Sequence, residues 1–304
     1  MKRFSTIIIA IIIIFIILTF ILVLTSTPGG QPEPTTKIAA TIFPIYDIAR
    51  NVAGDNAEVV LITPPGASPH TFEITAEQIR KLQDTDIMLA IGHGLDDWIT
   101  EARNAIPGSQ VKTVSQGVHL REFEEDYEHE EEHSHEGIDP HYWLSIDNAI
   151  KITQTIRDAL SEIDPDNSSH YYNNATNYVG ELESTKQIIE NQFINLGARE
   201  IITMHNAWGY FAEEFDLKIV ATFEPFPGQE PTLKYLAELS NTAKQYNVKT
   251  IFSEPQLSNQ VLIPFLKDLD MDLAVLDPVG GLENRNSYIN TMLYNAQTIK
   301  EKLK

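Results

Sequence analysis

Arg121 to Glu136 reads REFEEDYEHEEEHSHE and holds His129, His133 and His135 among nine carboxylates and one arginine. Imidazoles and carboxylates at this density are ligands for a divalent cation. The run has too few apolar residues and too much like charge to build a core, so it predicts a mobile loop that collects metal. The composition then changes abruptly. In DPHYWL, Asp139 to Leu144, Asp139-Pro140 predicts a turn, and His141 follows beside Tyr142, Trp143 and Leu144. A histidine among large apolar residues is a fixed object and suits a ligand; the competing reading is a hydrogen-bonded core histidine.

Three more residues stand at comparable places. His70 lies in the loop TPPGASPHTFE, after one strand pattern and before a helix pattern. His205 follows EIITM, and Asp277 follows DLAVL. Successive members of the set are roughly 70 residues apart, so the site is long-range and unlike a zinc finger. Three neutral imidazoles and one carboxylate make a tetrahedral zinc set. Each residue also has a plainer reading. His70 could cap the next helix, His205 could be a buried partner of Trp208 or Tyr210, and Asp277 could only start the Asp277-Pro278 turn.

The elements that must position these residues alternate strand and helix. Strand patterns cover 37–43, 57–62, 86–91 and 111–114, with helix patterns from Pro44, from Thr75 to about Asp84, and over 96–104. Thr75 and Gln78 are spaced for a capping box. Ile146 to Leu160 repeats apolar residues at helical spacing. Pro165 to Asn195 then predicts one long helix, with Tyr172, Tyr178, Leu182, Ile188, Ile189 and Phe193 as its apolar positions; the other reading is a helix pair broken near Gly180. The second half repeats the pattern, with strands at 200–203, 217–222, 248–252 and 273–276 and a closing helix over 285–302. The fold class is α/β: two lobes, each a mainly parallel sheet flanked by helices, joined by one long backbone helix. Ligands of open α/β sheets bind at strand ends, here in a cleft between lobes.

The N-terminus has a separate character. Residues 1–6 carry Lys2 and Arg3, residues 7–24 are apolar and uncharged, and residues 25–36 are rich in Pro, Gly and Thr. They predict a cytoplasmic basic end, a transmembrane anchor without an A-x-A-like cleavage site (the other reading being a cleaved signal segment), and a tether, with the binding domain outside the cell. The organisation is then an N-terminal lobe over 37–163 with its acidic His-rich loop at 119–138, a linking helix over 164–197, and a C-terminal lobe over 198–304. The net charge of −21 opposes nucleic-acid binding and favours cations. The chain has no cysteine, so it has no disulfide frame, cysteine zinc site, thiol nucleophile or lipid-anchored cysteine. G-x-S-x-G and P-loop patterns are absent.

The chain resembles the solute-binding proteins of zinc and manganese ABC importers. The resemblance is carried by PHTFE at 69–73, DPHYWL at 139–144, MHNAWGYF at 204–211 and LDPVGG at 276–281, with EPFPGQEPT at 224–232 and FSEPQ at 252–256. It covers essentially Lys37 to the C-terminus. It implies two α/β lobes joined by a backbone helix, with metal held between them by His70, His141, His205 and Asp277. Histidine at the third position implies Zn2+, with Mn2+ as the alternative. The implied partners are a metal ABC permease and its cytoplasmic ATPase, served by a monomer that is not an enzyme. A metal-binding adhesin or buffer would use the same site without a permease, and a zinc hydrolase would need a water-bearing position and a general base. Among the remaining residues, Glu73, three after His70, could share a helical face with it and fix its tautomer. Glu254 could sit at the lobe interface. His93, His119 and His170 read as surface or structural residues.

Overall fold

A computed structural model describes residues 36–123, 137–224 and 231–304. The apolar run at 7–24, the tether up to residue 35 and the histidines at 129, 133 and 135 lie outside the described residues. Among the described residues no helix is long and apolar enough to cross a membrane.

The first half builds β1 (Thr36–Ala40), α1 (Phe43–Ala53), β2 (Ala57–Leu61), α2 (Ala76–Lys81), β3 (Ile87–Ala90), α3 (Ile99–Ala105) and β4 (Gln110–Thr113). Its strands are all parallel, in the order β2-β1-β3-β4. β3, IMLA, is buried at every residue because it lies inside the sheet between β1 and β4, with helices over both faces. The Thr75 capping box forms: the Gln78 N–H donates to Thr75 Oγ1, and the Thr75 N–H donates to Gln78 Oε1.

Two helices follow, α4 (Ile146–Ile163) and α5 (Ser168–Phe193). Pro165–Asn167 forms a separate 3-10 turn, so the long helix starts three residues later than the sequence pattern predicts. It has 26 residues and runs unbroken through Gly180, a length of about 39 Å. Its buried stripe is Tyr171, Ala175, Tyr178, Leu182, Thr185, Ile189 and Phe193, spaced by threes and fours. Tyr172 and Ile188, expected on that stripe, are 49% and 47% exposed. Each lies one position beside a stripe residue, about 100° round the helix and turned away from the core.

The second half builds β5 (Glu200–Thr203), α6 (Gly209–Glu214), β6 (Lys218–Thr222), α7 (Leu233–Gln245), β7 (Thr250–Ser253), α8 (Leu262–Leu269), β8 (Asp272–Val275) and α9 (Tyr288–Lys302). The sheet order is β6-β5-β7-β8, again all parallel. The two sheets thus share one topology, and α5 lies between the lobes, packed on α4, α1 and α9. One apolar core runs through both, from Ile38 and Leu89 through Tyr178 and Leu182 to Phe252 and Leu276. Buried hydrogen bonds tie the lobes directly. Trp143 Nε1 donates to the Pro278 carbonyl at 2.7 Å, Tyr288 Oη donates to the Trp143 carbonyl at 2.7 Å, and the Tyr288 N–H donates to Asp47 Oδ2 at 2.8 Å. The first of these joins the segments that carry His141 and Asp277.

Candidate metal centre

Parallel strands end on the same side of a sheet, and loops from those ends carry the site. His70 comes from the loop after β2, His205 from the turn after β5, and Asp277 follows β8. His141 precedes the 3-10 turn Tyr142–Leu144, whose three side chains are all buried. The fold brings His70, His141 and His205 together. One ring nitrogen from each lies within 4.8 Å of the others. The ring centroids form a near-equilateral triangle, 5.1, 5.3 and 5.6 Å on its sides. Donor atoms on one tetrahedral zinc sit ~3.3 Å apart, given Zn–N near 2.05 Å. His70 Nε2 and His141 Nε2 are 3.0 Å apart, so the cluster has the scale of a single ion.

Burial and hydrogen bonding choose which nitrogens face that point. His141 is 2% exposed, and its Nδ1 lies 2.7 Å from Asp139 Oδ1, which also accepts the His141 N–H. The carboxylate therefore keeps the proton on Nδ1 and leaves the Nε2 lone pair toward the other rings. Asp139 is itself held: its N–H donates to the Arg121 carbonyl and its carbonyl accepts from Tyr210 Oη. His205 has a matching neighbour, with Nδ1 2.8 Å from Glu254 Oε1. That contact is close but out of line. Neither ring nitrogen of His205 makes an aligned hydrogen bond among the described residues. A buried imidazole without one is costly, and a cation at Nε2 would satisfy it. Glu254 Oε1 also accepts from Trp208 Nε1 at 3.1 Å. Burial pulls the His205 pKa down, but Glu254 first, then Asp139 and Glu224, outweigh burial and leave it raised.

The space among these residues is small. His70, His141, His205, Glu254 and Gln256 line a cavity of about 10 Å³, the size of one water. It would take a bare ion and no organic molecule.

Asp277 is fully buried and stands outside the three-histidine cluster among the described residues. Its Oδ1 accepts from Gln256 Nε2 and from the backbone N–H groups of Val279 and Gly280, at 2.9, 3.1 and 2.9 Å. Its Oδ2 has no hydrogen bond among the described residues and lies 3.2 Å from Arg285 Nε. The turn that follows requires glycine. Gly280 has φ +81°, and a Cβ there would overlap Thr291 Oγ1. Gly280→Ala should therefore destabilise the fold by roughly 2 kcal/mol or more, from the left-handed backbone and the overlap together. Urea unfolding of the metal-free protein measures this, and a midpoint equal to wild type would show that the turn tolerates a side chain.

Glu73 does not support His70. Residues 72–75 are not helical, so the pair shares no helical face, and Glu73 is exposed. Asp139 and Glu254 take the supporting role toward His141 and His205. Asp139 was hidden in the sequence because Asp-Pro reads as a turn; its position two residues before His141 was the available signal. Arg285 was hidden because the helix pattern covers 285–302, whereas α9 starts at Tyr288. His93, His119 and His170 are exposed and away from the cluster.

A family described as "Zinc-uptake complex component A periplasmic" matches residues 38–302. The zinc-binding protein AdcA of Streptococcus pyogenes is 27% identical over 91% of this chain, and the chain spans only 58% of that relative's length. The high-affinity zinc uptake system protein ZnuA of Bacillus subtilis is 31% identical, with 91% of each chain covered. A crystal structure of ZnuA superposes with a TM-score of 0.79 at 27% identity, covering 88% of this chain and 99% of that one. The parallel-sheet lobes and the helix between them are the fold of that structure. By the match over 38–302, this chain belongs to the periplasmic zinc-uptake complex component A family.

Proposed function

We propose that this protein is the zinc-binding component of an ABC-type importer. It captures Zn2+ between its lobes and delivers the ion to a membrane permease driven by a cytoplasmic ATPase. The single observation that carries this reading is the cluster of His70, His141 and His205, three imidazoles converging on one ion-sized point. Asp277 supplies the fourth donor on binding. Three nitrogen donors and one oxygen favour zinc over manganese, which prefers oxygen and higher coordination. The water-sized cavity speaks against a hydrolase, because a substrate needs room beside the metal.

The wider organisation is part of the proposal. Residues 7–24 anchor the chain, 25–36 tether it, and lobes over 37–163 and 198–304 flank the linking helix within 164–197. The acidic histidine run feeds ions toward the cluster, and the protein works as a monomer outside the cytoplasm. Release requires the permease to bind a form in which the ligands have separated, since a partner shifts an equilibrium only by differential affinity.

Metal analysis of purified residues 37–304 tests the reading. One tightly held zinc per chain is expected, retained against excess manganese in equilibrium dialysis. Absence of stoichiometric zinc, or exchange for manganese at equal concentration, would overturn it. An esterase or peptidase activity that follows zinc loading would favour the enzyme instead.

A further inference from the structure

The Asp277 carboxylate is divided. Oδ1 accepts three hydrogen bonds, from Gln256 Nε2 and two backbone N–H groups, and is saturated. Oδ2 is buried with no hydrogen bond among the described residues, and its close cation is Arg285, at 3.2 Å from Nε. A buried carboxylate oxygen without a donor is unstable unless a charge compensates it. Arg285 supplies that charge, and it is held in place to do so. Its carbonyl accepts from the Gly281 N–H at 2.8 Å, its N–H donates to the Leu282 carbonyl at 2.9 Å, and its guanidinium lies 4.7 Å from the Tyr294 ring centroid. Yet Arg285 Nε makes no aligned hydrogen bond with Oδ2 or any other described acceptor. The pair is joined by charge alone, which is the kind of contact a stronger cation can replace.

We propose that Arg285 is an internal stand-in for the metal: it holds Asp277 Oδ2 in the metal-free protein and yields it to the divalent ion on binding. This rests on the reading that the three histidines bind a metal. The saturated Oδ1 acts as the pivot, fixed by Gln256 and the Val279 and Gly280 amides, while Oδ2 exchanges one cation for another. Gln256 also lines the histidine cavity, so the pivot stands beside the cluster. Arg285 thereby sets affinity as a competitor. A metal that cannot outbid a fixed guanidinium for Oδ2 is left with three imidazoles, and the pair therefore discriminates among ions by their attraction for a carboxylate oxygen.

The test compares Arg285→Gln, Asp277→Asn and the double variant, by competitive zinc titration against a chromophoric chelator and by X-ray absorption at the zinc edge. Arg285→Gln should bind zinc about tenfold more tightly, within the usual range of coupling between two sites. Asp277→Asn should bind more weakly and lose the oxygen donor from the zinc shell, and the gain from Arg285→Gln should vanish in its background. Unchanged or weaker binding by Arg285→Gln, or the same gain with and without Asp277, would overturn the proposal and leave the pair as a static brace of the turn. If Arg285→Gln fails to fold, Asp277→Asn still decides. Asparagine keeps an oxygen for the three Oδ1 donors, and an unaltered zinc shell in that variant would sink the exchange. Failure of the wild-type chain to bind zinc at all would be a different result, removing the metal reading itself.

Discussion

Replacing His205 with glutamate is expected to lower zinc affinity by more than about 100-fold and to move the preference toward manganese. Groups that merely support a metal ligand contribute about 10–100-fold, so loss of a ligand itself should exceed that range. The donor set would become two imidazoles and, with Asp277, two carboxylates, which suits manganese better than zinc. The structure adds a second cost. Nδ1 of the present ring is 2.8 Å from Glu254 Oε1, and Glu224, also buried, acts on the same ring. A third carboxylate there would hold a proton in the metal-free protein, because like charges at short range disfavour ionisation. His205→Ala should lose zinc affinity without the manganese gain. Competitive titration of the three proteins at one pH separates these outcomes. Equal zinc and manganese affinities in wild type and His205→Glu would remove His205 from the ligand set and leave it as a core histidine beside Trp208.

Most of the fold was legible because its signals are local and periodic. The strands of both sheets end in loops that the sequence marks with Pro, Gly and Asp, and the long helix keeps its three-four stripe over 26 residues. The misreadings at Tyr172 and Ile188 come from the same source. A stripe fixes which face is buried only to within about one residue, and the packing of α4, α1 and α9 on α5 decides the rest. His70 and His205 were legible as histidines after strands and His141 as a histidine among large apolar residues, but their convergence is a tertiary fact between residues 71 and 64 positions apart. The supporting carboxylates were harder still. Glu73 had the right spacing for a helix and lies outside one, whereas Asp139 reaches His141 through a turn whose geometry no periodicity encodes. Arg285 meets Asp277 only because the Gly280-Gly281 turn reverses the chain, with both residues at positive φ.

Glu254 should control how zinc affinity responds to pH. In the metal-free protein His205 titrates above its ordinary value of 6.5, because Glu254, with Asp139 and Glu224, overcomes the lowering effect of burial. The sign follows from linkage. A raised histidine pKa stabilises the metal-free fold below about 6.5, and that stabilisation is lost as pH rises through the raised value. Zinc moves the opposite way, since it needs the neutral ring: its affinity should fall as pH drops through the raised pKa, by about tenfold per unit for one displaced proton. The onset should therefore lie above 6.5. Glu254→Gln removes the charge that holds the proton, so burial then dominates and the onset should move to lower pH. The same substitution takes away the carboxylate that orients the ring and strengthens it as a donor, an expected loss of about 10–100-fold at high pH. Wild type should thus bind zinc far better than Glu254→Gln above neutrality, and the two curves should converge as the solution is acidified. Chelator competition at a series of pH values measures both curves. Parallel curves would show that Glu254 acts on ring geometry alone and does not set the pH at which a proton on His205 competes with the metal.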